Sequence, residues 1–322
     1  MELSQVYALI QPGLNHVEAD FHRLIDSQHD FPEMQRMLEQ ILVGGKMVRP
    51  TLTLLAGSLY DYHEERHQSI AASSELMHIA TLVHDDAIDS ADLRRGRPTI
   101  NSVWGVDLAI LLGDFLFARA GAMAADTGSI RVVKIFTRTL GIIARGEIKQ
   151  ALSSFKLPQG YDLYIERIAA KTAALFTMAT ESGAVLSDAP EDAVQALSDY
   201  GYNLGIAFQI VDDILDYIGT ETEVGKPVGA DLAQGTVTLP AMKIVERYPH
   251  DNPIEKIVAH EDVPANIQRA IEMVRESSII DECYQEAAEY TRRATAGLAA
   301  LPDKPVREAL YFLAEYVLRR KT

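Results

Sequence analysis

Two segments of the chain carry the same cluster of three aspartates. Residues 85–89 read Asp-Asp-Ala-Ile-Asp and residues 212–216 read Asp-Asp-Ile-Leu-Asp, so both follow the pattern Asp-Asp-x-x-Asp. On a helix the first and last aspartates of this pattern share a face, where like charges are destabilising. Carboxylates grouped in this way indicate a hard cation, and without thiols or clustered histidines they favour Mg²⁺ or Mn²⁺. The candidate metal ligands are Asp85, Asp86, Asp89, Asp212, Asp213 and Asp216.

A divalent ion held by carboxylates usually keeps coordination positions open for a phosphate. Two unit charges about 4 Å apart interact by about 4 kcal/mol at an effective dielectric constant of about 20, so six aspartates alone would repel a diphosphate strongly. Bridging ions reverse the sign of that interaction. An acidic helix end facing solvent explains one cluster taken alone, but explains two clusters in apolar helices poorly. An EF-hand is disfavoured, because its loop spacing and its glycine are missing.

Basic residues occur where a second anion would need them. The segment 44–50 reads Gly-Gly-Lys-Met-Val-Arg-Pro, and the segment 93–98 reads Leu-Arg-Arg-Gly-Arg-Pro. Arginine suits bidentate recognition of phosphate, whereas lysine acts as a point charge. His78 lies seven residues before Asp85, two helical turns away on the same face. Each signal is weak alone, because basic loops are usually solvated and a lone histidine is more often part of a core.

Taken together, the motifs resemble those of the trans-isoprenyl diphosphate synthases. The resemblance covers residues 44 to about 240 and has seven motifs in a fixed order. They are GGKxxRP, HxxxxxxDDxxD, LRRGRPT, GD at 113–114, KTAALF at 171–176, FQxxDDxxD from 208, and GKPxGxDL at 225–232. The resemblance implies head-to-tail condensation of an allylic diphosphate with isopentenyl diphosphate, in which ionisation comes first, then attack by the double bond, then proton loss.

The resemblance also implies roles for individual residues. By analogy Asp85, Asp89 and Asp212 hold Mg²⁺ against the allylic diphosphate, and the other three aspartates support or share them. The residues implied to contact that same substrate are Arg94, Lys171, Thr172, Gln209 and Lys226, and of these Lys171, Gln209 and Lys226 are the predicted catalytic residues. The residues implied to bind isopentenyl diphosphate without metal are Lys46, Arg49, His78 and Arg95.

Product length in this family is limited by bulk on the helix before the first acidic motif. Ala80 and Thr81 stand five and four residues before Asp85, where, as the resemblance implies, an aromatic side chain would stop growth near fifteen carbons. Their small size, with no two-residue insertion inside the motif, predicts a product of twenty carbons or more. Met77 is either a floor to the channel or an adaptable side chain that bends aside. Ordinary close packing explains Ala80 equally well.

Two positions depart from the family pattern. Met47 follows the lysine of the first motif, where an arginine is common, and Thr236 stands where many members have a lysine. Losing these cations would weaken diphosphate binding or mark a subfamily. Neither change removes a predicted metal ligand, so the sequence still predicts an active enzyme.

Composition excludes other classes of partner. Thirty Lys and Arg against forty-six Asp and Glu give a net charge of −16, which disfavours nucleic acid and anionic lipid surfaces. The one cysteine, Cys283, cannot form an internal disulfide, which favours a cytoplasmic protein. The amino-terminal residues lack the pattern of a secretory signal. The most apolar stretch, 106–125, carries Asp107, Asp114 and Arg119, so a core helix is predicted there and no membrane span.

These motifs must be positioned by helices. Long segments rich in Ala, Leu, Ile, Glu and Arg predict helices, and almost nothing predicts strands. The predicted helices include 68–91, 106–126, 130–155, 163–186 and 191–218, with a polar interruption at 219–235. No linker divides the chain, so residues 1–322 are predicted to form one domain. The expected fold is an all-α, large helical bundle around a deep central cavity, since helices of about twenty residues span about 30 Å.

Other classes of protein would carry different residues at these positions. A class I terpene cyclase would normally carry an Asn/Ser/Glu-type second metal motif, and would not need a second diphosphate site. A non-catalytic partner subunit should have lost acidic residues, yet all six are present. A catalytic subunit that needs a small helical partner stays open. The resemblance implies a homodimer, but the residues do not define its interface.

Overall fold

Helices dominate the part of the chain that the structure describes. The computed structural model describes residues 1–94, 96–157, 160–219 and 228–320. The helices are α1 (Leu3–Asp26), α2 (Pro32–Leu42), α3 (Val48–Gly57), α4 (Glu64–Ile88), α5 (Ile100–Trp104), α6 (Val106–Asp126), α7 (Ile130–Ser153), α8 (Tyr161–Ile168), α9 (Ala174–Leu186), α10 (Glu191–Ile218), α11 (Ala230–Ala233), α12 (Leu239–Arg247), α13 (Pro253–Val258), α14 (Val263–Arg275), α15 (Ile279–Thr295) and α16 (Pro305–Arg319). The predicted all-α class is confirmed.

The described residues also form a π-helical turn, a 3₁₀ turn and a short hairpin. A π-helical turn, Ala169–Ala173, joins α8 to α9, and a 3₁₀ turn spans Leu298–Ala300. Strands β1 (Leu93–Arg94) and β2 (Arg97–Pro98) form an antiparallel hairpin, in which Leu93 pairs with Pro98. This hairpin was not predicted, because strands of two residues are too short to show alternation.

The predicted helix boundaries agree with the structure at most ends. Segments 106–126 and 191–218 coincide with α6 and α10. The predicted helix 163–186 is divided in the structure into α8, the π-helical turn and α9. Gly105, with a φ of 93°, separates α5 from α6, and this conformation favours glycine. Part of the predicted interruption at 219–235 lies outside the described residues.

The helices belong to two compact units. Unit 1 contains residues 1–139, 175–201 and 297–313, and unit 2 contains residues 140–174, 202–296 and those from 314 onward. The first aspartate cluster lies in unit 1 and the second lies in unit 2. A single domain over 1–322, and a cavity within it, stay predictions.

Helix α4 is the central helix of unit 1 and packs along α6. Two hydroxyl groups of α4 form hydrogen bonds to the backbone of α6. Ser69 Oγ donates to the Met123 carbonyl at 2.8 Å, and Ser73 Oγ donates to the Ala120 carbonyl at 2.7 Å. A methyl group on Gly113 would lie 2.1 Å from His84 Nε2, so only glycine lets the histidine pack there. His84 immediately precedes the first aspartate cluster, and the packing of α6 therefore fixes that end of α4.

Helix α6 is more exposed than a core helix. By length and composition it is the one helix of the described ranges that could cross a membrane, although only 39% of its apolar window is buried. The prediction of a core helix is therefore half correct, because one face packs on α4 while Leu108 and Leu111 lie exposed.

In unit 2 the π-helical turn is packed between two glycines. A methyl group on Gly146 of α7 would lie 2.5 Å from Ala170 Cβ. A methyl group on Gly205 of α10 would lie 2.5 Å from Ala173 Cα, which is backbone and cannot move aside cheaply. This packing holds Lys171 and Thr172 in place. π turns inside helices are frequent at functional sites.

We expect Gly205→Ala to destabilise the protein by about 1–3 kcal/mol, because the added methyl group overpacks the backbone of the π-helical turn. The matched control is Gly141→Ala on α7, where nothing lies within 4 Å of the added carbon. That control should be neutral or slightly stabilising, since alanine is the better helix former. Urea unfolding measures both variants, and equal stabilities would contradict the packing argument.

Candidate active site

The first aspartate cluster lies at the carboxyl end of α4 in unit 1. Asp85 and Asp86 are in the last turn and Asp89 is the residue that follows the helix. Asp85 is half-buried, Asp86 is buried and Asp89 is exposed. Negative charge at this end of a helix opposes the helix dipole, so the cluster requires positive charge nearby.

Arg94 supplies positive charge to the second aspartate of this cluster. The Arg94 Nε donates to Asp86 Oδ1 at 2.8 Å and to Oδ2 at 2.9 Å, and Nη2 lies 2.8 Å from Oδ1. The β1–β2 hairpin therefore serves to return Arg94 to the end of α4. Both oxygens of Asp86 therefore accept hydrogen bonds from this guanidinium.

The predicted isopentenyl diphosphate residues described in the structure also lie in unit 1. Lys46 is exposed in the turn before α3, and the Tyr7 hydroxyl donates to its carbonyl oxygen at 3.0 Å. The Arg49 guanidinium is buried 5.3 Å from the centroid of the Phe176 ring. His78 is half-buried on α4. Arg95 lies outside the described residues.

Met47 has an unusual conformation for a side chain other than glycine. Its φ is 48°, in the left-handed region, and its side chain is buried. Non-glycine residues in this region carry a local strain of order 1–2 kcal/mol, which the surrounding structure must offset. This departure from the family pattern therefore lies inside the turn that presents Lys46.

The second aspartate cluster lies on α10 in unit 2 and is buried more deeply. Asp216 is fully buried and Asp213 is 2% exposed, whereas the Asp212 side chain is 41% exposed. The backbone N–H of Asp231 donates to Asp216 Oδ2 at 3.3 Å. Asp212 is thus the residue of this cluster that combines a carboxylate with access to solvent.

Asp213 is held by a chain of hydrogen bonds. Tyr164 donates from its hydroxyl to Asp213 Oδ2 at 2.7 Å, and Gln209 donates from Nε2 to Oδ1 at 2.9 Å. The Thr172 hydroxyl donates in turn to Gln209 Oε1 at 2.5 Å. Burial and the charge of Asp231 raise the pKa of the Asp213 carboxyl to about 7, against the two hydrogen bonds, which lower it. Asp213 therefore lies at one end of a hydrogen-bond chain that runs through Gln209 to Thr172.

Lys171 lies on the π-helical turn beside Thr172. Its Nζ is 3.3 Å from Glu147 Oε1 on α7, and both side chains are partly exposed. Lys226, the other predicted catalytic cation, lies outside the described residues. Thr236, the second departure from the family pattern, donates its backbone N–H to the Asp231 carbonyl at 2.9 Å and helps to place that aspartate.

The three predicted chain-length residues lie on α4. Met77 and Ala80 are fully buried, and Thr81 is half-buried with its hydroxyl donating to the His78 carbonyl at 2.7 Å. Their role in product length stays a prediction.

Sequence reasoning missed several residues that shape the site. Asp231 stands in a motif that was recognised, but it was not assigned a role. Tyr164 and Glu147 belong to no recognised motif. The fold brings Tyr164 to Asp213 and Glu147 to Lys171. Arg320, whose Nη2 lies 2.5 Å from Asp212 Oδ1, is 108 residues away from its partner. No local pattern connects residues so far apart.

The donor set fits a hard divalent ion. No group of three or more His, Cys, Asp or Glu side chains forms a ready metal cage within the four described ranges. Mg²⁺ is commonly bound by one or two carboxylates, with water and substrate phosphate completing the shell, and so needs no such cage. Asp85 and Asp89 in unit 1, and Asp212 in unit 2, offer oxygen donors of this kind.

An all-helical fold with two aspartate clusters, each accompanied by basic residues, is the arrangement expected of a prenyl diphosphate synthase. The family model for polyprenyl synthetase matches residues 31–274, which is well over half of the chain. The chain therefore belongs to the polyprenyl synthetase family and is a trans-prenyltransferase. Members of this family act on an allylic diphosphate and isopentenyl diphosphate, and they use divalent metal ions.

Known proteins resemble the chain over its whole length. Heptaprenyl diphosphate synthase component 2 of Geobacillus stearothermophilus is 37% identical over 99% of both chains. The crystal structure of a decaprenyl diphosphate synthase from Rhodobacter capsulatus has a TM-score of 0.89 and 37% identity, and covers 99% of each chain. A polyprenyl synthase from Caulobacter crescentus CB15, complexed with calcium and isoprenyl diphosphate, has a TM-score of 0.90 and 35% identity over 100% of this chain and 98% of that one.

We expect Tyr164→Phe to destabilise the protein by about 1–3 kcal/mol, because it leaves an oxygen of buried Asp213 without its donor. The matched control is Tyr161→Phe on the same helix, whose hydroxyl contacts Glu286 on a more exposed surface. The control should change stability by less than about 1 kcal/mol. Chemical unfolding monitored by circular dichroism compares the two, and equal losses would contradict the anchoring role of Tyr164.

Proposed function

We propose that the protein is a Mg²⁺-dependent synthase that extends an allylic diphosphate with isopentenyl diphosphate to a trans-polyprenyl diphosphate of twenty carbons or more. The observation that carries this proposal is that the aspartates of each cluster differ in burial and in hydrogen bonding. Asp86 and Asp213 are occupied by protein donors, and Asp216 is buried against backbone. Asp85, Asp89 and Asp212 are the more accessible carboxylates of the two clusters, and we assign metal and diphosphate binding to these three, although Arg320 also donates to Oδ1 of Asp212.

The residues of the chain act on two diphosphates. A divalent ion, when bound, neutralises charge on the allylic diphosphate and favours its departure. The Lys171 ammonium adds fixed positive charge to the same leaving group, which stabilises the transition state. Lys46, Arg49 and His78 hold isopentenyl diphosphate by its own phosphates, so that its double bond stays close to the reacting carbon.

The electron balance requires no nucleophilic side chain. The allylic C–O bond breaks and its electron pair leaves on the diphosphate. The double bond of isopentenyl diphosphate then supplies the pair for the new C–C bond. The resulting cation loses a proton from the adjacent carbon to the departed diphosphate, and a double bond is restored. Water must be excluded from the cation throughout, which an apolar helical environment favours.

Metal identity and cellular compartment are part of this proposal. Mg²⁺ is the proposed ion, with Mn²⁺ as a substitute, because all the proposed ligands are carboxylate oxygens. The cytoplasm is the proposed compartment, since the one cysteine is buried and has no internal partner in the sequence.

An exposed apolar face on α6 supports assembly with a second copy. Residues at alternating three- and four-residue spacing line this face: Leu108, Leu111, Phe115, Ala118, Ala122 and Ala125. Leu111 is 61% exposed. Such spacing is typical of a seam between helices, so we propose a homodimer with α6 in its interface. Light scattering gives the mass in solution directly, and a single-chain mass would contradict it.

A heteromeric enzyme is the second candidate. The relative from Geobacillus stearothermophilus is called component 2 of its synthase. By analogy this chain would be a catalytic subunit that works with another protein.

We expect the purified protein with Mg²⁺ to incorporate labelled isopentenyl diphosphate into products longer than fifteen carbons. Asp85→Asn and Asp212→Asn should each lower the rate at least about 100-fold, since each removes a proposed metal ligand. Asp107→Asn, an exposed aspartate in the first turn of α6, is the matched control. Chromatography of dephosphorylated products gives rate and length together.

The outcomes of that assay separate the two candidates. A series of products of increasing length, made by this protein without a partner, supports the self-sufficient synthase. Folded protein that incorporates nothing with any primer points to a required partner. Full activity in Asp212→Asn would contradict the proposed metal role of the second cluster.

We expect Thr81→Phe to shorten the product toward about fifteen carbons. Thr81 is half-buried, so an aromatic ring is tolerated there better than at fully buried Ala80. Thr81→Ser is the control that keeps the hydroxyl and the small volume. The product length is read by chromatography, and an unchanged length in folded Thr81→Phe would show that this part of α4 does not limit elongation.

A further inference from the structure

Arg320, the residue after α16, reaches the second aspartate cluster within unit 2. Its Nη2 donates to Asp212 Oδ1 at 2.5 Å and to the Phe208 carbonyl at 2.7 Å. The guanidinium carbon lies 3.6 Å from the centroid of the Phe208 ring. The Arg320 side chain is 6% exposed, whereas its carboxylate partner is 41% exposed.

These contacts distinguish Arg320 from a surface ion pair. An exposed ion pair between long side chains contributes little to stability, because both side chains must be ordered in solvent. Here the guanidinium is buried, stacked on an aromatic ring and directed by two acceptors, so its position is fixed. Its neighbour Arg319 shows the contrast, being 74% exposed and paired with Glu315 one turn earlier.

We propose that Arg320 is a positioning residue for Asp212 and makes metal binding at this carboxylate depend on the diphosphate. The inference deepens the function proposed above and rests on it. Arg320 engages Oδ1, which orients the carboxylate and leaves Oδ2 as the oxygen directed away from this guanidinium.

The dependence on diphosphate follows from charge. A divalent ion on Asp212 would stand within a few ångströms of a full positive charge, and that repulsion weakens binding of the ion alone. A diphosphate bound to that ion would add negative charge and offset the repulsion. The ion and the anion therefore bind together more tightly than either binds alone, and by linkage each raises the affinity for the other equally.

The test uses Mn²⁺ as the probe and follows it by electron paramagnetic resonance, with and without inorganic pyrophosphate and without turnover. The ions to be followed are those lost in Asp212→Asn. We expect Arg320→Gln to bind Mn²⁺ alone about 10-fold more tightly than the unsubstituted protein, and the gain in affinity from pyrophosphate to shrink by a similar factor. Arg320→Lys keeps the charge and should restore most of the pyrophosphate dependence, while Arg319→Gln should match the unsubstituted protein.

Several results would overturn the inference. Arg320→Gln with unchanged Mn²⁺ affinity and unchanged pyrophosphate dependence would leave Arg320 with a packing role only. If that variant does not fold, Arg320→Met keeps an apolar chain over Phe208 without the charge, and carries the same expectation. Mn²⁺ binding that is unaffected by Asp212→Asn would instead overturn the proposed metal role of Asp212, and this inference with it.

Discussion

The structure depends on how the chain accommodates carboxylates at the ends of two helices. An aspartate removed from water must be paired or hydrogen-bonded, or it takes up a proton. In unit 1 a bidentate arginine, Arg94, satisfies Asp86, and in unit 2 Tyr164 and Gln209 satisfy Asp213. In the proposed account, the middle aspartate of each cluster is an internal anchor, and the carboxylates beside it are held in position by it.

Close packing also positions the residues around Asp86 and Asp213. The hydrogen-bond chain from Asp213 ends on Thr172, in the π-helical turn that lies between Gly146 and Gly205. A glycine also admits His84 against α6, directly before the first cluster. Close backbone approaches therefore set the positions of both the anionic and the cationic groups, and small changes far from the reacting atoms are expected to affect the chemistry.

Much of this arrangement could be predicted from the sequence. The Asp-Asp-x-x-Asp spacing identified both clusters, and helix formers between glycines and prolines identified α6 and α10 to the residue. The β1–β2 hairpin could not be predicted, because two residues show no alternation. The anchoring roles of Tyr164 and Arg94, and the contact from Arg320 to Asp212, depend on tertiary packing that no spacing encodes. The π-helical turn could not be predicted, because its composition is that of an ordinary helix.

The central claim is that Asp86 and Asp213 are held by protein donors and that Asp85, Asp89 and Asp212 bind the metal. A crystal structure with Mn²⁺ and a non-reactive allylic thiolodiphosphate, with the ions located by anomalous scattering, tests it most directly. The account predicts Mn²⁺ in contact with Asp85, Asp89 and Asp212, while Asp86 keeps Arg94 and Asp213 keeps Tyr164. Mn²⁺ coordinated directly by Asp86 or Asp213, with those partners displaced, would contradict it.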